Sequence, residues 1–465
     1  MRLRFRPVLL TLCLCSAIAC GTAFAGFDQA VAAYERKDYV TAFREFRPLA
    51  QQGKSSAQYS LGWMYAKGQG VAQDHKEAVK WYRLAADQGD AFAQYNLGGM
   101  YAKGQGAAQD YKEAVKYFRM AANQGDARAQ SSLGLLYANG QGVPQDYKEA
   151  IKLYRMAAEQ GYAGAQYNLG WMYAIGQGVP QDYKEAVKLY RMAADQGDAG
   201  GLFNLGVMYD SGLGATQDYK EAVKLYRMAA EQGDAGGQFN LGMMYSTGHG
   251  VPQDYQEAVK WFRLSAEQGD ASGQHGLGVM YEKGQGVPAS RVVAYALYNL
   301  SAVGDPSPSN NAAANRTRLA ESLSRTELEA AQALTRELNN PATLTKTLDK
   351  YLTQPAAAVA APVTAPTVPV AATPALGPAT ASTKKNSKTK AATSNVERYA
   401  SQTTALAADP YPQRPPQVPG LMTCNTRCVD ATCWRTYDDG KKVMFQMLRK
   451  KDPATGELKY DMGDC

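Results

Sequence analysis

The chain has 465 residues, 45% of them hydrophobic and 20% charged, with a formal net charge of +7. That charge is small for the length, and Lys76, Lys80 and Arg83 alternate with Asp74, Glu77 and Asp90, which excludes the basic stripe of a nucleic-acid binder. The three histidines, His75, His249 and His275, stand in separate stretches, so they read as drift from a repeated pattern rather than as a convergent catalytic group.

Residues 1–25 read as an export signal: Arg2, Arg4 and Arg6, an apolar run from Val8 to Ala19, then Ala23-Phe24-Ala25 before Gly26. The run is too short to span a bilayer. No second apolar segment follows, so no transmembrane segment is expected after signal removal. A rival reading makes Cys20, preceded by Ala17-Ile18-Ala19, the lipidated first residue of an outer-membrane lipoprotein. Residues 26–53 form a divergent helix pair, Ala30, Ala33 and Tyr34 facing Ala42, Phe43 and Phe46 after Asp38, suited to cap one end of a stack.

From residue 54 to 305 one unit is written seven times. Gln-Gly recurs at Gln88-Gly89, Gln124-Gly125, Gln160-Gly161, Gln196-Gly197, Gln232-Gly233 and Gln268-Gly269, each 36 residues after the last, which is the signature of a solenoid. Each unit predicts two helices. The first starts after an N-cap such as Asp126 or Asp198, whose carboxylate accepts free amide protons of the opening turn. It carries Leu133, Leu136 and Tyr137 on one face and stops at Gly140. The second starts at Asp146, with Glu149 placed to reach back in a capping box, and turns Ala150, Tyr154, Ala157 and Ala158 inward.

A glycine also stands inside every first helix, at Gly62, Gly98, Gly134, Gly170, Gly206, Gly242 and Gly278. Each costs about 0.5–1 kcal/mol relative to alanine, so a closely approaching helix is expected over the missing side chain, with Ala85, Ala86 and their equivalents as the opposing surface. Gly68-Gln69-Gly70 and its copies superficially resemble a phosphate loop, but they follow a helix where a phosphate cradle follows a strand.

Residues 306–353 are expected to close the stack with helices over about 311–323 and 326–338, the second introduced by a capping box of Ser324 and Glu327. The unit before them lacks the Asp-Tyr-x-Glu start and carries Val292, Val293 and Leu297 instead. Residues 354–419, rich in alanine, proline and threonine, read as a disordered linker. Lys384, Lys385, Lys388 and Lys390 within it either keep it solvated or touch anionic cell-wall polymer or phospholipid headgroups. Residues 420–465 read as a small β module: a hairpin of Cys433 to Tyr437 and Lys441 to Arg449 about Asp438-Asp439-Gly440, with a third strand from Glu457 to Asp461. All four cysteines left after signal removal, Cys424, Cys428, Cys433 and Cys465, lie there. Two disulfides of undetermined connectivity are expected, and the spacing lacks the paired knuckles of a zinc site. No cofactor or metal is expected.

Two columns on the first helices are candidates for partner binding. Ser60, Asn96, Ser132, Asn168, Asn204, Asn240 and Gly276 form the first. Asparagine both gives and accepts hydrogen bonds, which suits gripping a peptide backbone and equally suits tying one repeat to the next. Three positions on, Trp63, Gly99, Leu135, Trp171, Val207, Met243 and Val279 vary in size among otherwise copied units. That variation fits either a groove with different pockets or irregular core packing, and aromatic anchors such as Trp171 are frequent hot spots.

The pattern A-x-x-x-L-G-x-x-Y-x-x-G-x-G-V-x-x-D-Y-x-E-A-x-x-x-Y-x-x-A-A-x-Q-G, matched seven times from Ala57 to about Gly304, resembles the Sel-1-like repeat, a relative of the tetratricopeptide repeat. The resemblance implies an all-α, right-handed α/α superhelical solenoid that acts as an adaptor for protein or peptide partners, with first-helix asparagines lining the groove. With the export signal it points to the periplasm of a bacterium. Some relatives are cysteine-rich and β-lactamase-like, but the paired cysteines of their repeats are absent here. A cell-wall or β-lactam-directed hydrolase and a secreted factor meeting a host protein remain the alternatives.

Overall fold

A computed structural model describes residues 26–307, 310–340 and 343–353, and the backbone of five short strands. The expected export signal with Cys20, the 354–419 linker and the side chains of Cys424, Cys428, Cys433 and Cys465 lie outside the described residues. Helix α1 spans 26–35 and α2 Tyr39–Gln51. Helix pairs then follow one another: α3 and α4 (Ser55–Lys67, His75–Asp87), α5 and α6 (Ala91–Lys103, Tyr111–Asn123), α7 and α8 (Ala127–Asn139, Tyr147–Glu159). These belong to one compact unit, and a second begins at Ala163. It holds α9 and α10 (Ala163–Ile175, Tyr183–Ala194), α11 and α12 (Ala199–Ser211, Tyr219–Glu231), α13 and α14 (Ala235–Thr247, Tyr255–Glu267) and α15 and α16 (Ala271–Lys283, Arg291–Gly304). Helices α17 (Ala312–Ala320), α18 (Arg325–Leu338) and α19 (Leu344–Leu352) end it. Within each unit the repeat helices up to α16 pack on their neighbours in sequence, and α17 and α18 both pack on α16, so the fold is an all-α solenoid.

Strands β1 (Cys424–Val429), β2 (Thr432–Tyr437) and β3 (Lys442–Gln446) form an antiparallel sheet in that order, and β4 (Arg449–Lys451) pairs with β5 (Leu458–Tyr460). The hairpin about residues 438–440 is β2–β3, with Thr436 opposite Lys442. The expected strand from Lys441 to Arg449 is divided between β3 and β4, and β1 lies beyond the sequence reading.

Capping follows the aspartates. Asp126 accepts the amide of Ala129 at 2.9 Å, and Asp146 accepts those of Lys148 and Glu149 at 2.9 and 3.1 Å. The capping box expected at Glu149 is not formed. The N–H of Asp146 already donates to the Tyr137 carbonyl at 2.9 Å, which leaves nothing to reach back for, and the Glu149 carboxylate turns to Lys152 at 3.2 Å. Ser324 and Glu327 do complete their box. Gly140 ends α7 in the left-handed region at φ 68°, as expected of a helix-stopping glycine.

The glycines inside the first helices are corrected in their partner. They face an aromatic ring of the same repeat, not the alanines. A Cβ on Gly62 would stand 2.8 Å from Cδ1 of Tyr82, and one on Gly98 2.8 Å from Cδ1 of Phe118. The same seat recurs for Tyr154, Tyr190, Tyr226, Phe262 and Tyr298. The alanine pairs meet the next repeat instead: a Cβ on Gly201 would lie 2.7 Å from Cβ of Ala193.

Polar ties then set one repeat on the next. Gln94 on α5 donates to the Ala86 carbonyl that ends α4 (3.1 Å) and accepts from Gln124 of its own repeat (2.8 Å). Gln58, Gln130 and Gln238 repeat the arrangement. Gly106, at φ 73°, lets its loop lie against the carbonyl of His75, where any side chain would collide. Arg119 Nη2 donates to the Tyr137 hydroxyl of the following repeat at 2.7 Å.

At the start, Trp63 donates to the Tyr34 hydroxyl and that hydroxyl donates to Gln69, both at 2.8 Å, so α1 covers the open end of α3. At the end, α18 packs on α16, and α19, absent from the sequence reading, packs on both α14 and α18. Among the described residues no helix is long and apolar enough to cross a membrane.

Two neighbouring glycines test the ring seat. Gly98→Ala is expected to lower stability by about 1–3 kcal/mol, because overpacking against Phe118 outweighs the gain in helix propensity. Gly99→Ala, with nothing within 4 Å of its added carbon, is expected to raise stability by about 0.5–1 kcal/mol. Urea-denaturation midpoints read both, and shifts of the same sign would show that Phe118 has room to yield.

A second test concerns the first-helix caps of the second unit. Burial, opposed by the Gly237 amide and reinforced by the carboxylates of Asp270 and Asp198, pushes Asp234 up to about 6. Asp198 is raised in the same way by burial. An unfolded aspartate titrates near ~3.9, so between that pH and about 6 the folded chain holds a proton that the unfolded chain has released. The stability from this group is full below about 4 and is lost as pH rises through 6. Asp234→Asn keeps a capping oxygen, and it should therefore match or exceed the wild type at pH 7 and lose ground to it at about pH 5. A wild-type-minus-variant difference that does not change with pH would refute this.

Candidate partner-binding face

Among the first helices of the second unit, α9 approaches α11 and α13 approaches α15 directly. Both sequence-derived columns lie on the first helices, and the structure separates their members.

Trp63 is 5% exposed under α1, and Asn204 is 3% exposed. Neither offers its side chain to an outside molecule. Asn96, Asn168 and Asn240 are half-buried, and Met243 is exposed. Asn96 donates to the Phe92 carbonyl at 2.9 Å and Asn204 to that of Gly200 at 3.0 Å, each one turn back in its own helix, and the glutamine column makes the ties between repeats. Such back-bonding is open to any short polar side chain inside a helix.

Trp171 stands half-buried on α9 against the cluster that includes Phe203 and Val207. Its Nε1 is shielded from solvent and has no acceptor among the described residues. Trp81 and Trp261, on second helices, share that state. Asn168 lies one turn before Trp171 on the same face. Nearby, Tyr167 rests on Gly200, whose Cβ would lie 2.9 Å from the ring.

In the first unit the equivalent surface is a group that sequence reasoning missed. Arg128 is held by Asp126, Nε to Oδ1 at 3.2 Å and Nη2 to Oδ2 at 2.5 Å. Its guanidinium lies over Tyr95 at 4.5 Å and Phe92 at 5.1 Å, and Phe92 in turn packs on Tyr59 at 5.9 Å. The signal was in the sequence: Phe92 and Arg128 replace small residues that the later repeats keep at Gly200 and Gly236.

The histidines do not converge. His249 stacks on Tyr219 at 4.8 Å, while Nε2 of His275 meets Asn315 at 3.0 Å. Among the described residues no group of acidic, histidine or cysteine side chains is placed to hold a metal.

Comparison with known proteins agrees with this architecture. The Sel1 repeat pattern matches residues 55–90, 91–126, 127–162, 163–198, 199–234, 235–270 and 271–302. A Sel1 repeat protein from Oxalobacter formigenes shares 38% identity over 52% of this chain and 99% of its own, with a TM-score of 0.50. The uropathogenic Escherichia coli protein c5321, a protective antigen with an SLR fold, shares 28% identity over 74% of this chain and 97% of its own, with a TM-score of 0.42. No curated protein matches the chain. Seven consecutive matches across more than half the residues place the chain in the Sel1 repeat family, whose members are generally scaffolds for protein interaction.

Proposed function

We propose that the protein is a non-catalytic adaptor of the bacterial envelope that holds a protein or peptide segment against the first-helix face of its second unit. The observation that carries this is the indole of Trp171. Its N–H is withdrawn from water without an acceptor, a state that costs about 1–3 kcal/mol unless something supplies an oxygen. Trp63, in the same column, receives that oxygen from Tyr34, on a segment that packs over it. A backbone carbonyl of an extended partner would do the same at Trp171, with Asn168 one turn away for a second bond. Met243, exposed on α13, adds an adaptable apolar contact. The envelope assignment rests on the arginines and apolar run of residues 1–25.

Affinity capture from envelope extracts is expected to recover a partner with the wild type, and recovery should fall at least tenfold with Trp171→Ala and several-fold with Asn168→Ala. Equal recovery by all three would place the binding face elsewhere. Mass spectrometry of the mature chain should find Gly26 at its N-terminus, and a lipid-bearing Cys20 there would move the protein to the membrane surface.

A further inference from the structure

The second helices carry an outward row that the first-helix reading leaves unused. Leu84, Met120, Met156, Met192, Met228 and Leu264 are each between 36% and 47% exposed, one per repeat, and each directly follows an arginine. Those arginines bridge repeats. Arg191 reaches the Tyr209 hydroxyl, Arg227 that of Tyr245 at 2.7 Å, and Arg263 that of Tyr281 at 3.2 Å.

One of these junctions is already occupied, by the chain itself. Helix α19 packs on α14, and Asp349 accepts from Nη1 of Arg263 at 3.1 Å while Nη2 keeps its bond to Tyr281. Leu344 and Leu348 are fully buried in the cluster that contains Tyr281 and Val259. Tyr281 is fully buried there, whereas Tyr209 and Tyr245, at the two preceding junctions, remain partly exposed. The sequence of α16 likewise changes to suit its own cover, by α17 and α18. Where α14 presents Glu257 and Lys260, α16 has Val293 and Ala296, both fully buried. The last repeat is therefore built to be covered on its outer side, and the earlier ones keep the same arginine, tyrosine and apolar side chain without the cover.

We propose that the outer face at Arg191, Met192 and Tyr209, and again at Arg227, Met228 and Tyr245, docks a helical segment of a partner protein that presents a carboxylate beside leucine-type side chains, as α19 does in cis. The carboxylate gains charge-assisted bonds from a guanidinium that the tyrosine holds in place. The leucines pack beside the tyrosine, as Leu344 and Leu348 do in the cluster that holds Tyr281, and the methionine, a side chain that adapts its shape to different apolar surfaces, borders them. This face is separate from the first-helix face, and its test does not involve Trp171 or Asn168.

The probe is a fluorescein-labelled synthetic peptide with the sequence of Leu344–Leu352, titrated to about 1 mM against the full chain and read by anisotropy. Binding is expected, weakened at least tenfold when the peptide aspartate is replaced by asparagine or when the chain carries Arg191→Ala together with Arg227→Ala. Met192→Ser with Met228→Ser, changes at exposed positions that leave the fold intact, should weaken it several-fold. Arg263→Ala should leave it unchanged. Loss of binding with Arg263→Ala would mean that the peptide only exchanges with α19, and would overturn the proposal. So would absence of binding, equal binding of the asparagine peptide, or recruitment of the chain to phosphatidylglycerol vesicles without peptide binding, which would assign the arginine row to a lipid surface.

Discussion

The structure depends on one contact made in every repeat, an aromatic ring of the second helix seated on a glycine of the first. The ring fills the space where a Cβ would stand, which fixes how closely the two helices lie and hides the ring completely: Tyr82, Phe118, Tyr154, Tyr190, Tyr226, Phe262 and Tyr298 are all 2% exposed or less. Phenylalanine serves at two of the seven positions, so ring shape and buried area stabilise the pair and the hydroxyl does not. The hydroxyl carries a burden where it occurs. Tyr190 buries its oxygen without a partner, while Tyr298 directs its own to Glu282 at 2.7 Å. The glycine's loss of helix propensity, about 1 kcal/mol, is small beside the burial of a whole aromatic side chain.

What the ring does within a repeat, polar groups do between repeats. Hydrophobic burial is non-directional and would tolerate a slide of one repeat along the next. The Gln94 amide on the Ala86 carbonyl does not tolerate it, because the Gln94 side chain is buried and its N–H would lose its acceptor. The left-handed Gly106 against the backbone at His75 adds a steric stop. Copying these ties at a 36-residue interval sets the register of junctions within each unit locally, although Leu202 stands in the glutamine column where α10 meets α11.

The period, the helix pairs, the aspartate caps and the stopping glycines could be read from the sequence because each is a local rule with its own residue type. Partner choice across helices could not. Gly62 was matched with Ala85 and Ala86 because small residues suggest small neighbours, whereas a missing side chain fits a large ring equally well and the packing decides. The glutamine column escaped notice because glutamine at a fixed position looks the same whether it faces water or a helix end. Asn96 and Asn204 show the converse: their composition suggested a grip on something else, but a carbonyl one turn back was nearer. Helix α19 was missed because only two of its nine residues are deeply buried, too short a pattern to define a face.

The two units differ chiefly at the start of their first helices, and that difference shapes what each surface can hold. Phe92 and Arg128 lie over the aromatic residues of the preceding repeat and close that surface with the chain's own side chains. At Gly200 the Tyr167 ring meets a residue that has no side chain. The small residues that follow Asp198, Asp234 and Asp270 let these caps sit deeper in the protein, where burial and mutual repulsion raise Asp234. Gly200 and Gly236 leave that part of the first-helix face without the side chains that Phe92 and Arg128 supply in the first unit. The first unit shows that the same scaffold accepts the filling, so a surface kept open in the second unit, beside an indole that lacks an acceptor, is where an outside segment has the most to gain by binding.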